Sequence, residues 1–394
     1  MFIRILRLLV LTAILAVSAF FLFVTLHLRE IYQNDAAITS EKSLVIPEFS
    51  GDKKINFSWK YNGVNYSIEE SLYQSAYDFY RRQPKIYEYF TETFPPDWQE
   101  NYFGMFLAPA INDKTFSRLA ETIKNEGLKR KLNGDQIAEL ALAFVQAIPY
   151  DDEKAKEILA SKDSPAGPSP AYPYETLYGQ KGVCSDKSFL AVVLLRELDY
   201  GAALFEYDSA NHMAIGIKCP LEYSTDGTGY CFAETTTPGH RIGIISELDE
   251  NRKALPKKEL SYYGEGESSE NISLENPVLY QKSDGKIYQA VAATFRTQKD
   301  LEKTEKYLNA LRVQLKTAQQ QIDALDKELD SLNGKMNNYK DNGEYEKYNK
   351  LVPKYNDLVK DYKNLVKQYN EKVSQYNNNV NYYNKLVKEF SVLE

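Results

Sequence analysis

Residues 178–236 read YGQKGVCSDKSFLAVVLLRELDYGAALFEYDSANHMAIGIKCPLEYSTDGTGYCFAETT, and this stretch decides the fold. Apolar residues recur at helical spacing after Cys184, which predicts a helix over 184–198 with Gly201 as its C-terminal cap. The segments HMAIGIK and YCFAE have the composition of strands and flank the turn-rich PLEYSTDGTG, so together they predict a β-hairpin. His212 opens the first strand and Glu234 ends the second.

Cys184, His212 and Glu234 occur in the order thiol, imidazole and carboxylate that nucleophilic catalysis requires. A thiolate attacks, an imidazole transfers protons, and a carboxylate orients the imidazole. The dipole and the free N–H groups at the N-terminus of a helix favour a thiolate and can hold an oxyanion. A lone cysteine is more often a packing residue, but the three residues together predict a catalytic site.

Strand parity separates the histidine and the acid from the two remaining cysteines. Side chains alternate across a strand, so His212 and Glu234 can share one face while Cys219 and Cys231 lie on the other. In an oxidising compartment we expect these two cysteines to form a disulfide and leave Cys184 free, with two reduced buried cysteines as the alternative. The chain has three cysteines and three histidines and no CxxC or HxxxH pair, so we expect neither a metal site nor a cofactor.

Three motifs resemble the transglutaminase-like superfamily, whose fold is papain-like: GVCSDKSFLAVVLLREL, HMAIGI and FAETT. The upstream AFVQAIPYDDE also resembles the helix that precedes the nucleophile in this superfamily, so the resemblance covers about residues 135–245. It implies an α+β fold in which the cysteine helix packs on an antiparallel sheet that carries the histidine and the acid. It also implies that Cys184 is the nucleophile, His212 the general base and acid, and Glu234 the orienting carboxylate.

Two positions depart from the superfamily pattern. The third triad member is usually Asp, and here it is Glu234, whose extra methylene shifts the carboxylate. An aromatic residue often stands two places after the histidine, and here that residue is Ala214. Gln180, four residues before Cys184, is a candidate for binding the oxyanion, and a simple turn residue is the alternative.

An apolar run near the N-terminus predicts a membrane anchor. Residues 8–26 contain no charge and no proline, and their length suits the hydrocarbon core of a bilayer. Arg4 and Arg7 precede the run, so we predict a single-pass protein with residues 1–7 in the cytoplasm and an extracytoplasmic catalytic domain. A signal peptide cleaved near Ser18 is the alternative.

Between the anchor and the site we predict a stalk over 27–57 and a transglutaminase-like domain with a helical N-terminal extension over 58–290. An Asn62-Gly63 turn indicates a small hairpin. Residues 67–93 are helix-like, and residues 114–131 predict a further amphipathic helix. Asp135 is the predicted N-cap of a buried helix that ends at Pro149.

Residues 296–392 carry two heptad patterns that predict a coiled-coil helical hairpin. The first pattern is a leucine seam, and the second is an internal repeat, approximately NxLVxxY, whose tyrosines we interpret as seam packing. A break at 341–343 separates them, and Pro353 is expected to kink the second helix. The alternative is that the hairpin forms a homo-oligomer or binds a coiled-coil partner.

The net charge of −7 and the lack of a basic stripe argue against a nucleic-acid-binding protein. We predict a membrane-anchored thiol enzyme that acts on amide bonds of a protein or peptide substrate, as a peptidase, amidase or transamidase. The alternative is a non-catalytic binding or scaffold protein of the cell envelope that works through the coiled coil.

Overall fold

A computed structural model describes residues 44–89, 93–161, 167–255 and 271–390 of the chain. These residues fall into two units. In the smaller unit, which holds 44–47 and 109–113, the Asn112 side chain bonds both backbone groups of Ile46, at 2.9 and 2.8 Å. The other described residues form the larger unit, which contains the predicted site.

The larger unit has a mixed α+β structure with two antiparallel sheets, as predicted for the fold class. Its strands are β1 Asp52–Tyr61, β2 Val64–Tyr73, β3 Ala202–Tyr207, β4 His212–Lys218, β5 Tyr230–Ala233 and β6 Val278–Tyr280. Its α-helices are α1 Gln74–Arg81, α2 Trp98–Leu107, α3 Thr115–Lys129, α4 Gly134–Ala147, α5 Asp152–Ser161, α6 Pro173–Gly179, α7 Cys184–Glu197, α8 Val291–Asp341 and α9 Tyr345–Phe390.

The predicted hairpin around Asn62-Gly63 is present but longer than expected. β1 and β2 pair along their whole length, and β2 continues to Tyr73 through residues that were predicted to be helical. Glu70 interrupts the apolar alternation of β2, yet it is buried and its carboxylate lies 3.2 Å from the Arg118 guanidinium. Because that partner lies 48 residues further along the chain, the local sequence does not reveal the strand.

The N-terminus of α4 is capped by a different residue from the one predicted. The Asn133 side chain accepts a hydrogen bond from the Gln136 N–H at 3.0 Å, and the Gln136 side chain accepts one from the Asn133 N–H at 3.0 Å. Asp135 instead accepts hydrogen bonds from the Tyr200 hydroxyl and from the Ala290 N–H, at 2.8 and 2.9 Å. It thereby ties α4 to two distant segments of the chain.

The second sheet has the strand order β5-β4-β3-β6, and the almost wholly buried helix α7 packs against β3 and β4. α7 ends at Glu197, close to the predicted boundary. Gly201 is not its cap but leads into β3, where a Cβ atom would lie 2.8 Å from the Ser283 carbonyl oxygen. That close approach of two backbone segments explains the need for glycine at this position.

The C-terminal helices α8 and α9 form an antiparallel hairpin. Arg312 donates a hydrogen bond to the Tyr376 hydroxyl at 2.9 Å, and nearer the turn Lys354 lies 2.9 Å from Glu328. Leucines of the predicted seam are buried with tyrosines and valines of α9 and with Ile244: Leu301, Leu308, Leu311, Leu315, Tyr376, Val380, Tyr383 and Val387. Pro353 lies within the helical span of α9, and the kink expected there stays a prediction.

The predicted single-pass membrane location is wrong for the part of the chain that the structure describes. No helix there is both long enough and apolar enough to cross a bilayer. The helices that greatly exceed the required length of about 20 residues are α8 and α9, which are rich in Lys, Asp, Asn and Gln. The predicted anchor over 8–26 lies outside the described residues.

Candidate active site

Cys184 is the first residue of α7 and is partly exposed. The first turn of an α-helix leaves backbone N–H groups without intrahelical partners, so the thiol lies at the positive end of the helix dipole. Asp186 fixes this end of the helix, because its buried carboxylate accepts hydrogen bonds from the Val183 N–H at 3.1 Å and the Ala171 N–H at 2.7 Å. Lys154 pairs with the same carboxylate at 2.7 Å.

His212 is the first residue of β4, and Glu234 directly follows the last residue of β5. β4 and β5 pair Ile215 with Ala233, so Glu234 continues the register opposite Ala214, two residues from His212 and on the same face of the sheet. His212 is 3% exposed and Glu234 is 0% exposed, and the His212 Nε2 lies 3.2 Å from the Glu234 Oε2. Because an ionised carboxylate only accepts hydrogen bonds, the imidazole donates from Nε2.

The other oxygen of the Glu234 carboxylate is held by the loop that follows it. Oε1 accepts hydrogen bonds from the Thr235 N–H at 2.8 Å, the Thr236 N–H at 2.9 Å and the Thr236 hydroxyl at 2.8 Å. Burial acts to raise the pKa of Glu234, but the charge and hydrogen bond of His212 and the Thr236 N–H outweigh it and lower the pKa to about 2. The extra methylene of this glutamate is therefore accommodated by folding the carboxylate back onto its own loop.

The second nitrogen of the His212 imidazole, Nδ1, is buried and has no nitrogen or oxygen hydrogen-bond partner within the described part of the protein. Burial acts to lower the pKa of His212, but the Glu234 carboxylate and a hydrogen bond with the Cys184 side chain outweigh it and raise the pKa to about 10. The structure thus places His212 close to both Glu234 and Cys184.

Lys187, one turn after Cys184 on α7, is a buried charged residue that the sequence analysis missed. It is 0% exposed, and its Nζ donates hydrogen bonds to the carbonyls of Gln146, Ile148 and Thr236 at 3.0, 2.6 and 3.0 Å. Burial lowers the pKa of Lys187 to about 7, and the Glu234 carboxylate opposes this. Three acceptors at these distances match the three N–H groups of an ammonium, so the geometry is that of a charged lysine.

A second buried side chain, Gln146 of α4, supports the loop after β5. Its Nε2 donates hydrogen bonds to the carbonyls of Glu234 and His240 at 2.9 and 2.8 Å. His240, interpreted from the sequence as a loop residue, is buried in that loop and its Nδ1 lies 2.7 Å from the Ser246 hydroxyl. Burial lowers the pKa of His240, although the Glu234 carboxylate opposes this.

Cys184 and His212 open onto a cleft of about 190 Å³. Its apolar wall is formed by Phe103, Ala155, Ile158, Leu159, Val183 and Met213. Tyr150 also lines it, and its hydroxyl donates a hydrogen bond to the Asn251 carbonyl at 3.0 Å. Gln180 is not among the lining residues, because it is an exposed residue with φ of 56° that follows the end of α6.

Cys219 and Cys231 form a disulfide with Cα atoms 5.8 Å apart, which confirms the predicted pairing. Cys231 pairs with Ile217 across β4 and β5, so its side chain points to the sheet face opposite His212 and Glu234. Cys184 is the free thiol of the described residues. The disulfide therefore closes the β4–β5 connection from the sheet face opposite the one that carries His212 and Glu234.

Comparison with known families supports the resemblance that these motifs carry. A family model described as a transglutaminase-like domain matches residues 116–223. The match includes Cys184 and His212, ends before Glu234, and covers well under half of the chain. Searches of curated proteins and of solved structures each found no match.

Proposed function

We propose that this protein is a thiol enzyme that cleaves amide bonds through an acyl-enzyme intermediate at Cys184. The observation that supports this most directly is that a helix N-terminal cysteine and a buried imidazole line one cleft, with a buried carboxylate hydrogen-bonded to the imidazole. The family match contributes independently, because it covers the nucleophile and the histidine. Glu234 takes the role of orienting residue in place of the more usual aspartate.

The proposed reaction has two steps. The Cys184 thiolate attacks the amide carbonyl carbon, and backbone N–H groups of the first turn of α7 hold the resulting oxyanion. The His212 imidazolium then gives its proton to the leaving amine, which departs as the C–N bond breaks and leaves a thioester. In the second step neutral His212 takes a proton from the acceptor, which attacks the thioester carbonyl carbon; the C–S bond then breaks, the acyl product leaves, and the Cys184 thiolate and His212 imidazolium are restored.

Hydrolysis and transamidation share this intermediate and differ only in the acceptor. Water gives a peptidase or amidase, and an amine gives a transamidase. Apolar side chains line the cleft together with the charged residues Glu206, Asp208 and Arg252. A mixed lining suits a peptide, which offers apolar side chains and polar backbone groups, and a peptide is the substrate class that we propose.

The first test is the alkylation rate of Cys184 against pH in the folded, non-reduced protein, with and without His212→Ala. We expect half-maximal labelling well below pH ~8.5, the value for an ordinary thiol, and loss of that advantage in His212→Ala. Urea-unfolded protein supplies the matched reference for a free thiol, and Cys184→Ala supplies the blank.

A direct assay for the intermediate complements the alkylation profile. A small activated ester should acylate the folded protein at Cys184, and hydroxylamine should release the acyl group, as a thioester requires. If folded and unfolded protein give the same alkylation profile, the enzyme proposal fails. The alternative, a binding protein that works through the α8–α9 hairpin, would then account for the fold.

A further inference from the structure

The buried Lys187 ammonium is a hydrogen-bond donor shared by several chain segments beside the candidate site. Lysine is almost never fully buried unless its charge is paired. Here three backbone carbonyls satisfy the ammonium. Removing Lys187 alone would leave those carbonyls without this donor, so Lys187 fixes the segments that carry them, including the loop that follows Glu234.

The hydrogen bonds of Lys187 begin a chain of contacts that leads to the nucleophile. Lys187 donates to the Thr236 carbonyl at 3.0 Å, and Thr236 donates twice to the Glu234 Oε1, at 2.9 and 2.8 Å. The other carboxylate oxygen lies 3.2 Å from the His212 Nε2, and the His212 imidazole forms a hydrogen bond with the Cys184 side chain. The chain starts and ends within one turn of α7, because Lys187 and Cys184 are three residues apart.

The remaining two acceptors of Lys187 fix the end of α4. They are the carbonyls of Gln146 and Ile148, at 3.0 and 2.6 Å. Lys187 thus holds the Glu234 loop against two helices at once. Two charged groups act on its ammonium, the Glu234 carboxylate, which favours the charge, and Lys253, which opposes it.

We propose that Lys187 is a positioning residue, which sets the place and the charge of the Glu234 carboxylate and so keeps His212 aligned on Cys184. This inference rests on the proposed function of the triad. Neutralising Lys187 removes the bond to the Thr236 carbonyl and a positive charge beside the site. Both changes weaken the orientation of His212 and disfavour the thiolate.

The test compares the pH profile of Cys184 alkylation in Lys187→Met, Lys187→Gln and Lys187→Arg. In the neutral variants we expect the pH of half-maximal labelling to rise by about one unit, and labelling at pH 6 to slow about tenfold. Lys187→Arg keeps the charge but arranges its donors differently at this fully buried position, so we expect a smaller rise than in the neutral variants. Lys124→Met, which removes an exposed lysine of α3, is the matched control for net charge.

The outcomes separate this inference from the proposed function. A wild-type profile like that of unfolded protein would reject the catalytic triad itself. A wild-type profile with a poised thiolate that is unchanged in a folded neutral variant would reject the role of Lys187. If neither neutral variant folds, Lys187→Arg decides, since a folded Lys187→Arg protein with the wild-type profile would show that the Lys187 hydrogen bonds are not needed and would overturn the inference.

Discussion

Replacing Glu234 by Gln removes the negative charge of the proposed orienting carboxylate and keeps the length of the side chain. In the wild type, Oε1 accepts hydrogen bonds from two backbone N–H groups and the Thr236 hydroxyl. Only an oxygen can satisfy the two N–H donors, so the carbonyl of the new amide must take that place. Its NH₂ group is then forced to face the His212 Nε2, 3.2 Å away in the wild type.

Two facing donors reverse the tautomer of the imidazole. His212 can then be stable only as an acceptor at Nε2, with its proton on Nδ1 beside Cys184, and this form cannot take the thiol proton. An ordinary thiol is ionised by only about one part in 300 at pH 6. We therefore expect alkylation of Cys184 at pH 6 to slow by roughly 100-fold in Glu234→Gln, and acylation by roughly 10³- to 10⁴-fold.

The assay is timed alkylation at pH 6, read by intact-protein mass spectrometry, on variants whose folding is verified by thermal unfolding. Glu222→Gln is the control, because it neutralises an exposed carboxylate on the β4–β5 connection. We expect this control to label like the wild type. Labelling of folded Glu234→Gln at the wild-type rate would refute the argument from donor geometry.

Two further predictions concern stability. Reducing the Cys219–Cys231 bridge, whose cysteines are 12 residues apart, should lower the free energy of unfolding by about 2–3 kcal/mol; urea denaturation with and without reductant measures this, and equal midpoints would contradict it. The His212–Glu234 pair should stabilise the fold most between pH 4.5 and 6.5, the ordinary pKa values of the two groups. The raised pKa of His212 means that its contribution fades as the pH rises towards about 10, and the lowered pKa of Glu234 means that its contribution fades as the pH falls towards about 2. Urea denaturation of wild type and His212→Ala across this range checks the window, and a difference that is independent of pH would contradict it.

Local rules recovered much of the site's framework from the sequence. Strand alternation placed His212 and Glu234 on one face and Cys219 on the other, because parity depends only on position within a strand. The apolar residues at helical spacing after Cys184 also predicted where α7 begins, because that spacing depends only on the local sequence. The catalytic roles of these residues remain a proposal that the alkylation profile tests.

The supporting residues could not be predicted from local patterns. A lysine three residues after the cysteine is typical of a solvated helix face, yet the carbonyl partners of Lys187 lie 41, 39 and 49 residues away along the chain. Glu70 similarly interrupts the apolar alternation of β2, and its partner Arg118 lies 48 residues away along the chain. Both residues are buried only because tertiary contacts satisfy their charge, and a sequence window does not contain those contacts.

The disulfide between Cys219 and Cys231 depends on the register in which β4 and β5 pair. A slip of one residue in the pairing of these strands would turn every side chain of β5 to the opposite face. Cys231 would then point away from Cys219, and Glu234 would point away from His212. The strand register that brings Cys231 to Cys219 is therefore also the register that brings Glu234 to His212.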